Sequence, residues 1–132
     1  MELSNEPGAV TLSLGAHDFD VAKKFYSELF DFVVDIDAWI GEGAIDRPFR
    51  RLRMLFEPNS QLAIEFFAAK GITVQTAVPS PTLTLVVADF DEVMNRFRNR
   101  AKDAIVDDAT LPYGKYLTIT DPSGNRLQIF ST

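Results

Sequence analysis

The stretch "TLSLGAHDFDVAKKFY", Thr11–Tyr26, aligns without a gap on a second stretch, "TLTLVVADFDEVMNRF", Thr82–Phe97. Each copy begins with the alternation of a half-buried strand and then changes to helical spacing, with Asp-Phe-Asp at the change. Asp18 and Asp89 occupy the expected N-cap positions, where a carboxylate accepts bonds from free backbone N–H groups. The repeat predicts two copies of one strand-and-helix unit.

Each predicted helix carries one apolar stripe that would face a sheet. In the first copy the stripe consists of Val21, Ala22, Phe25, Tyr26 and Leu29. In the second copy it consists of Val93, Met94, Phe97 and Ala101.

The segments after the two helices also correspond. We predict strands near residues 33–40, 51–56 and 62–67 after the first helix, and near 104–106, 116–120 and 126–130 after the second. The last turn of each set contains proline at its second position, in "EPNSQ" (Glu57–Gln61) and "DPSGN" (Asp121–Asn125). Each half is therefore a βαβββ module. We expect one domain over residues 1–132, with modules at about 9–67 and 82–131 and a linker at 68–81.

A βαβββ module is too small to bury its sheet alone, so two modules are expected to join into an α+β fold. The predicted result is one curved mixed sheet with the helices on its outer face and a cleft on its inner face. The paired modules, Asp18-Phe19-Asp20, Phe25-Tyr26 and the "DPSGN" turn resemble the vicinal oxygen chelate superfamily. That superfamily includes glyoxalase I, extradiol dioxygenases and bleomycin-resistance proteins.

The resemblance places four metal-ligand positions on this chain, one in the first and one in the last strand of each module. They fall on Thr11, Thr82 and Gln128, and on either Glu65 or Ile64. Metal-dependent members have histidine, glutamine and glutamate there, whereas hydroxyl and amide groups are poor ligands for a divalent cation. We therefore expect neither a metal nor any other cofactor.

Glu65, in "LAIEFF", is the strongest single candidate for chemistry. A partly desolvated carboxylate could act as a general base or anchor a cationic ligand, or it could simply pair with a nearby arginine. Ser13 lies on the same strand face as Thr11 and so in the expected cleft. The one histidine, His17, stands in the strand-to-helix turn, where a surface role competes with a proton-shuttle role.

The basic run "RPFRRLR" stands out in an acidic chain. Arg51 and Arg53 share one strand face and could clamp an anionic group of a ligand, although such arginines more often pair with acids across a sheet. Among the aromatic residues, Trp39 and Tyr113 fall where the cleft rim of the resembled superfamily would be. Both could stack on a planar ligand.

The composition excludes several classes of function. A net charge of −6 and a pI near 4.7 argue against nucleic-acid binding and mildly favour a cationic ligand. No apolar run is long enough to cross a bilayer and no signal-peptide pattern is present, so we expect no membrane partner. Cysteine is absent, which excludes thiolate chemistry and fits a cytoplasmic location.

The preferred interpretation is a metal-independent binding protein of the bleomycin-resistance type, which sequesters a cationic or aromatic small molecule. The resemblance also implies a homodimer. The alternative is a diverged glyoxalase-like lyase or isomerase, or a dioxygenase-family enzyme, with Glu65 as its base. A third possibility is a regulatory or accessory domain with an empty cleft.

Overall fold

The computed structural model describes residues 1–41, 49–68 and 83–132. The chain divides into two compact units, Met1–Ile72 and Thr73–Thr132. Thr82 and, apart from Ala68, the predicted linker lie outside the described residues.

The described residues of module one form one helix and four strands in the predicted order. The elements are β1 (Val10–Ala16), α1 (Phe19–Phe30), β2 (Val33–Ile40), β3 (Phe49–Leu55) and β4 (Leu62–Ala68). Strand β1 pairs in parallel with β4, whereas β2–β3 and β3–β4 are antiparallel, so the mixed sheet has the order β1-β4-β3-β2.

Module two repeats this topology. Its elements are β5 (Leu83–Val87), α2 (Phe90–Arg100), β6 (Ile105–Leu111), β7 (Gly114–Thr120) and β8 (Arg126–Ser131). The sheet order is β5-β8-β7-β6, in which the edge strand β5 pairs in parallel with β8. The two βαβββ modules and the α+β class are confirmed.

The predicted bounds of β6 were wrong. Ala104 ends a short 3-10 helix, and the strand continues to Leu111 rather than ending at Val106. Among the described strands, β6 pairs only with β7 and so lies at the edge of its sheet. Asp107 and Asp108 are exposed on this strand. Two adjacent charged residues interrupt the apolar alternation by which a strand is recognised in a sequence, and charged residues are common on edge strands.

The two sheets share an irregularity as well as a topology. The β2–β3 register shifts between Val34 and Ile36, and the β6–β7 register shifts between Ile105 and Asp107. Asp35 and Val106, the residues within these shifts, are therefore equivalent in the two modules. A shared bulge supports the prediction of an internal repeat, because bulges are positional features of a fold.

The core of module one lies between α1 and one face of its sheet. Tyr26 is fully buried and stacks on Phe30 and Phe32, with ring centroids 5.9 and 5.6 Å apart. Val21, predicted to lie in the apolar stripe, is instead exposed at the edge of the helix face centred on Tyr26. In module two the buried helical residues are Phe90, Val93, Met94 and Phe97.

The two helices differ at their N-termini. Asp18 caps α1, because its Oδ1 accepts a bond of 3.1 Å from the backbone N–H of Val21. Asp89 was predicted to do the same for α2 but makes no side-chain capping bond. Its φ of −103° and ψ of 41° lie outside the extended conformation that directs a cap side chain back to the helix.

The hairpin turn of module two is held by Asp121. Its Oδ1 accepts bonds from the backbone N–H groups of Ser123 and Asn125, at 2.9 and 2.8 Å. The Gly124 N–H donates to the Asp121 carbonyl at 3.0 Å, and Gly124 has a φ of +90° that favours glycine. The "DPSGN" turn thus has the predicted backbone role.

Within the described parts of the chain, no helix has the length and apolarity to cross a membrane.

Candidate functional site

An open cavity of about 1110 Å³ lies at one end of the module one sheet. The strand ends of β1, β2 and β4 meet the start of β3 there, so residues distant in sequence line one space. Its polar lining residues are Ser13, His17, Arg50, Arg51 and Glu65. Of the predicted site residues, the structure therefore brings together Ser13, Trp39, Arg51 and Glu65 in one cavity.

Three aromatic side chains of the lining are more than half exposed. Trp39 is 64 % exposed, Phe49 is 52 % exposed and Phe67 is 51 % exposed, and all three line the cavity. A group of exposed, large aromatic side chains is more often a binding surface for another molecule than an ordinary solvent-exposed surface. The sequence indicated Trp39 but missed Phe49 and Phe67. Alternation along β3 and β4 could have shown that these two share the face of Arg51 and Glu65.

The strand register resolves which residue of β4 faces away from α1. Leu12 pairs with Ile64 in module one, and its repeat equivalent Leu83 pairs with Leu127 in module two. Glu65 is therefore the equivalent of Gln128, whereas Ile64 is fully buried in the core. The sequence left Glu65 and Ile64 as alternatives for the expected ligand position in the last strand of module one. The register assigns that position to Glu65.

Glu65 is held by an arginine. The Nε–H of Arg51 donates to Glu65 Oε1, and both side chains are partly exposed. Ser13 lies directly beside Glu65 in the parallel register of β1 and β4, with an exposed side chain. The site thus contains an ion pair with a neighbouring hydroxyl.

Arg53 shares the strand face of Arg51, as predicted, but belongs to a different group of contacts. Its Nε–H donates to Asp35 Oδ2 at 3.1 Å, and its Nη1 donates to the Gly8 carbonyl at 3.5 Å. The hydroxyl of Thr11 donates to the same carbonyl at 3.1 Å. Arg53 and Thr11 therefore secure the N-terminal segment and do not line the cavity.

The second arginine of the cavity, Arg50, was not singled out in the sequence. It makes two bonds to Asp37, at 2.8 and 3.0 Å, and an ion pair of 2.8 Å with Asp20 of α1. Lys23 also donates to Asp37 at 2.8 Å. Hydrogen bonds from Arg50 and Lys23 hold the pKa of Asp37 well below its ordinary value, and Asp37 raises the pKa of Arg50.

Module two has a smaller hollow of about 310 Å³ at the equivalent place. Lys115 replaces Arg50 and forms an ion pair of 3.2 Å with Asp91, the equivalent of Asp20. Thr110 and Gly114 stand where module one has Trp39 and Phe49. The exposed aromatic residues Trp39 and Phe49 therefore have no aromatic counterpart in module two, where the lining includes the buried Phe90.

The other predicted site residues of module two are dispersed. Tyr113 is 84 % exposed in the turn between β6 and β7 and does not line the hollow. Gln128 lies between Thr84 and Thr118 on the face of its sheet opposite the buried Leu127 and Ile129. The neighbouring Tyr116 hydroxyl donates to Asp107 at 2.8 Å, and this bond raises the pKa of Tyr116.

Glu65 and Thr11, at two of the metal-ligand positions that the resemblance implies, do not fit a divalent cation. Glu65 is paired with the Arg51 guanidinium, which would repel a metal ion, and the Thr11 hydroxyl is bonded to a backbone carbonyl. Across ranges 1–41, 49–68 and 83–132, no group of three His, Cys, Asp or Glu residues is arranged to hold a metal.

Solved structures of other proteins share this architecture along most of their length. One is a member of the glyoxalase/bleomycin resistance protein/dioxygenase superfamily from Sphaerobacter thermophilus DSM 20745, with a TM-score of 0.66 and 16 % identity over 92 % of this chain and 94 % of that one. The chain has the vicinal oxygen chelate fold. No protein-family profile and no curated protein matches its sequence.

Proteins with the vicinal oxygen chelate fold include both binders and enzymes. TnmS3, an antibiotic binding protein from Streptomyces sp. CB03234, has a TM-score of 0.66 and 18 % identity, covering 92 % of each chain. A lactoylglutathione lyase from Agrobacterium tumefaciens has a TM-score of 0.60 and 19 % identity, covering 92 % of this chain and 90 % of that one. At these identities the likeness shows the fold alone.

Proposed function

We propose that this protein binds a bulky, planar aromatic small molecule in the module one cavity without the help of a metal. The observation that carries the proposal is the exposure of Trp39, Phe49 and Phe67 around one open space of about 1110 Å³. Covering these side chains with an aromatic ligand would remove apolar surface from water and allow ring stacking.

The size and composition of the cavity support a ligand larger than a metabolite of a few atoms. Small-molecule sites are mostly apolar clefts of about 300–1,000 Å³ with a few placed polar groups. Here the polar groups are Ser13, the Arg51–Glu65 pair and the Asp-bound Arg50. A bulky aromatic compound with a few oxygen or nitrogen atoms matches such a lining, and the antibiotic binding by TnmS3 is consistent with it.

An enzyme that uses Glu65 as its base is the second candidate. Ser13 beside Glu65, and His17 at the rim of the same cavity, give this candidate polar groups to work with. The ion pair opposes it, because Glu65 would have to give up Arg51 before it could take a proton efficiently. We therefore favour binding over catalysis.

Isothermal titration calorimetry with an acridine, a phenanthridine and a naphthoquinone tests the proposal. We expect at least one of these compounds to bind, and its affinity to fall about tenfold or more in Trp39→Ala and Phe49→Ala, because each change removes a stacking surface. Val106→Ala is the matched control, since Val106 is equally exposed but lies in module two. Binding that is unchanged by both cavity variants would contradict the proposed site. Turnover of a bound compound that is abolished in Glu65→Gln would support the enzyme instead.

A further inference from the structure

We propose that the ligand of the module one cavity is an aromatic carboxylate, and that Arg51 is the residue that recognises its charge. The proposal rests on the proposed function, because it names the chemical class that the same cavity would select. It departs from the cationic ligand that the acidic composition favours, since the net charge of the chain does not describe this lining.

The two arginines of the cavity are not equivalent. Arg50 is held on two sides, by both oxygens of Asp37 and by Asp20. For the Arg51 side chain, the Nε–H bond to Glu65 is the one polar contact within the described part of the protein. A guanidinium has five N–H donors, so four donors on the terminal nitrogens of Arg51 remain available to a ligand.

A carboxylate is the group that fits these donors. The two terminal nitrogens of a guanidinium match the two oxygens of a carboxylate, and charge-assisted bonds of this kind are stronger than neutral ones. Phe49 and Phe67 flank Arg51 and Glu65 along β3 and β4, at neighbouring same-face positions. An aromatic ring on these side chains would exclude water from the Arg51 contact and strengthen it.

Module two supplies an internal comparison. By strand register, Tyr116 replaces Arg51, Gln128 replaces Glu65 and Phe130 replaces Phe67. The charged pair therefore occurs in the module that has the large aromatic cavity and is absent from the equivalent positions of the other. An ion pair that only stabilised the sheet would be expected equally in both modules.

Glu65 has a defined part in this scheme. It occupies one edge of the Arg51 guanidinium and so competes with an anionic ligand, while it keeps the arginine in place on the sheet. Replacing Glu65 with glutamine preserves the shape of the side chain and removes the competing charge. The proposal therefore predicts that changing Arg51 weakens carboxylate binding, whereas changing its partner Glu65 to glutamine strengthens it.

The experiment compares three probes of nearly the same shape by calorimetry: naphthalene-2-carboxylate, naphthalene-2-carboxamide and 2-naphthylmethylammonium. We expect the carboxylate to bind about tenfold more tightly than the carboxamide, with the ammonium weakest, because a charge-assisted bond to arginine contributes more than about 1.4 kcal/mol, or one factor of ten. Arg51→Gln should remove this preference, because it lowers carboxylate affinity more than carboxamide affinity. Glu65→Gln should strengthen carboxylate binding several-fold.

Arg53→Gln is the matched control, since Arg53 shares the face of Arg51 but is bonded to Asp35 and Gly8 outside the cavity. It should leave the carboxylate preference intact. Carboxamide or ammonium binding as tightly as the carboxylate would overturn the inference, as would weaker carboxylate binding by Glu65→Gln. If Arg51→Gln fails to fold, the ratio of the three affinities in the natural protein decides. If none of the three probes binds but a larger aromatic compound does, the inference fails while the proposed function stands; if no aromatic compound binds, both fail.

Discussion

Arg50 of strand β3 and Asp20 of helix α1 form an ion pair of 2.8 Å that ties the start of the strand to the first turn of the helix. Lys115 and Asp91 repeat this contact in module two, at 3.2 Å. The acidic partners are the third residues of the two Asp-Phe-Asp motifs. The motif therefore provides more than a capping position, because its last carboxylate anchors the strand that borders each hollow.

The first prediction concerns Asp37, which accepts bonds from Arg50 and Lys23. Asp37→Asn should lower the free energy of unfolding by roughly 1 kcal/mol near neutral pH, because a network of charge-assisted bonds is lost. Folding lowers the pKa of Asp37 below its ordinary 3.8, so its contribution is fully present above that value and is lost as the pH falls through the lower folded pKa. Urea unfolding at several pH values measures both effects.

Asp108→Asn is the control for this prediction, since Asp108 is exposed on β6 and is in no ion pair of the described residues. It should change stability by less than about 0.5 kcal/mol. If the Asp37 variant and the natural protein lose stability in parallel as the pH falls below about 4, the assigned role of Asp37 in acid sensitivity is wrong.

The second prediction compares the two helix N-termini. Asp18→Ala should cost about 1 kcal/mol, because it removes the bond to the Val21 N–H. Asp89→Ala should cost less than half as much, because the Asp89 side chain makes no capping bond. Equal losses in chemical denaturation would show that the caps are alike in solution.

The third prediction concerns the register of β4. Ile64→Ala should destabilise the protein by about 3 kcal/mol, because Ile64 is fully buried under α1. Glu65→Ala should cost about 1 kcal/mol or less, because its ion pair is partly exposed. A larger loss for Glu65→Ala would place the two side chains on the opposite faces from those described.

The fourth prediction concerns Tyr116, whose hydroxyl donates to Asp107. This bond stabilises the protonated phenol, so Tyr116 should ionise above the ordinary pKa of 10.0. Asp107→Asn should bring the pKa of Tyr116 down, as followed by ultraviolet absorbance with Tyr116→Phe as the reference. An unchanged titration curve in Asp107→Asn would exclude the carboxylate as the cause.

The sequence predicted the modules because the repeat, the change of period and the turn chemistry agree with one another. Local patterns of this kind place Tyr26, Phe97 and the Asp121 turn correctly, since their roles depend on nearby residues. Asp89 shows the limit of this reasoning. Its residue type and position match those of Asp18, but backbone angles decide whether a side chain caps, and these depend on packing.

The site was harder to predict because it is made by strand pairing. Glu65, Arg51 and Trp39 were each recognisable as unusual in their own strands. Their common cavity, and the partners Phe49, Phe67 and Arg50, follow from the order β1-β4-β3-β2, which places β3 between β2 and β4. No local pattern distinguishes Arg51, with donors to spare, from Arg50, whose acids come from a helix and another strand.

The most direct test of the central claim is the indole N–H signal of Trp39 in a proton–nitrogen correlation spectrum. Trp39 is the one tryptophan of the chain, so this signal reports on the module one cavity alone. We predict that an aromatic compound that binds by calorimetry will shift or broaden this signal, with the effect saturating at the same concentration. Saturable binding that leaves the Trp39 signal unmoved would place the ligand elsewhere and contradict the proposed site.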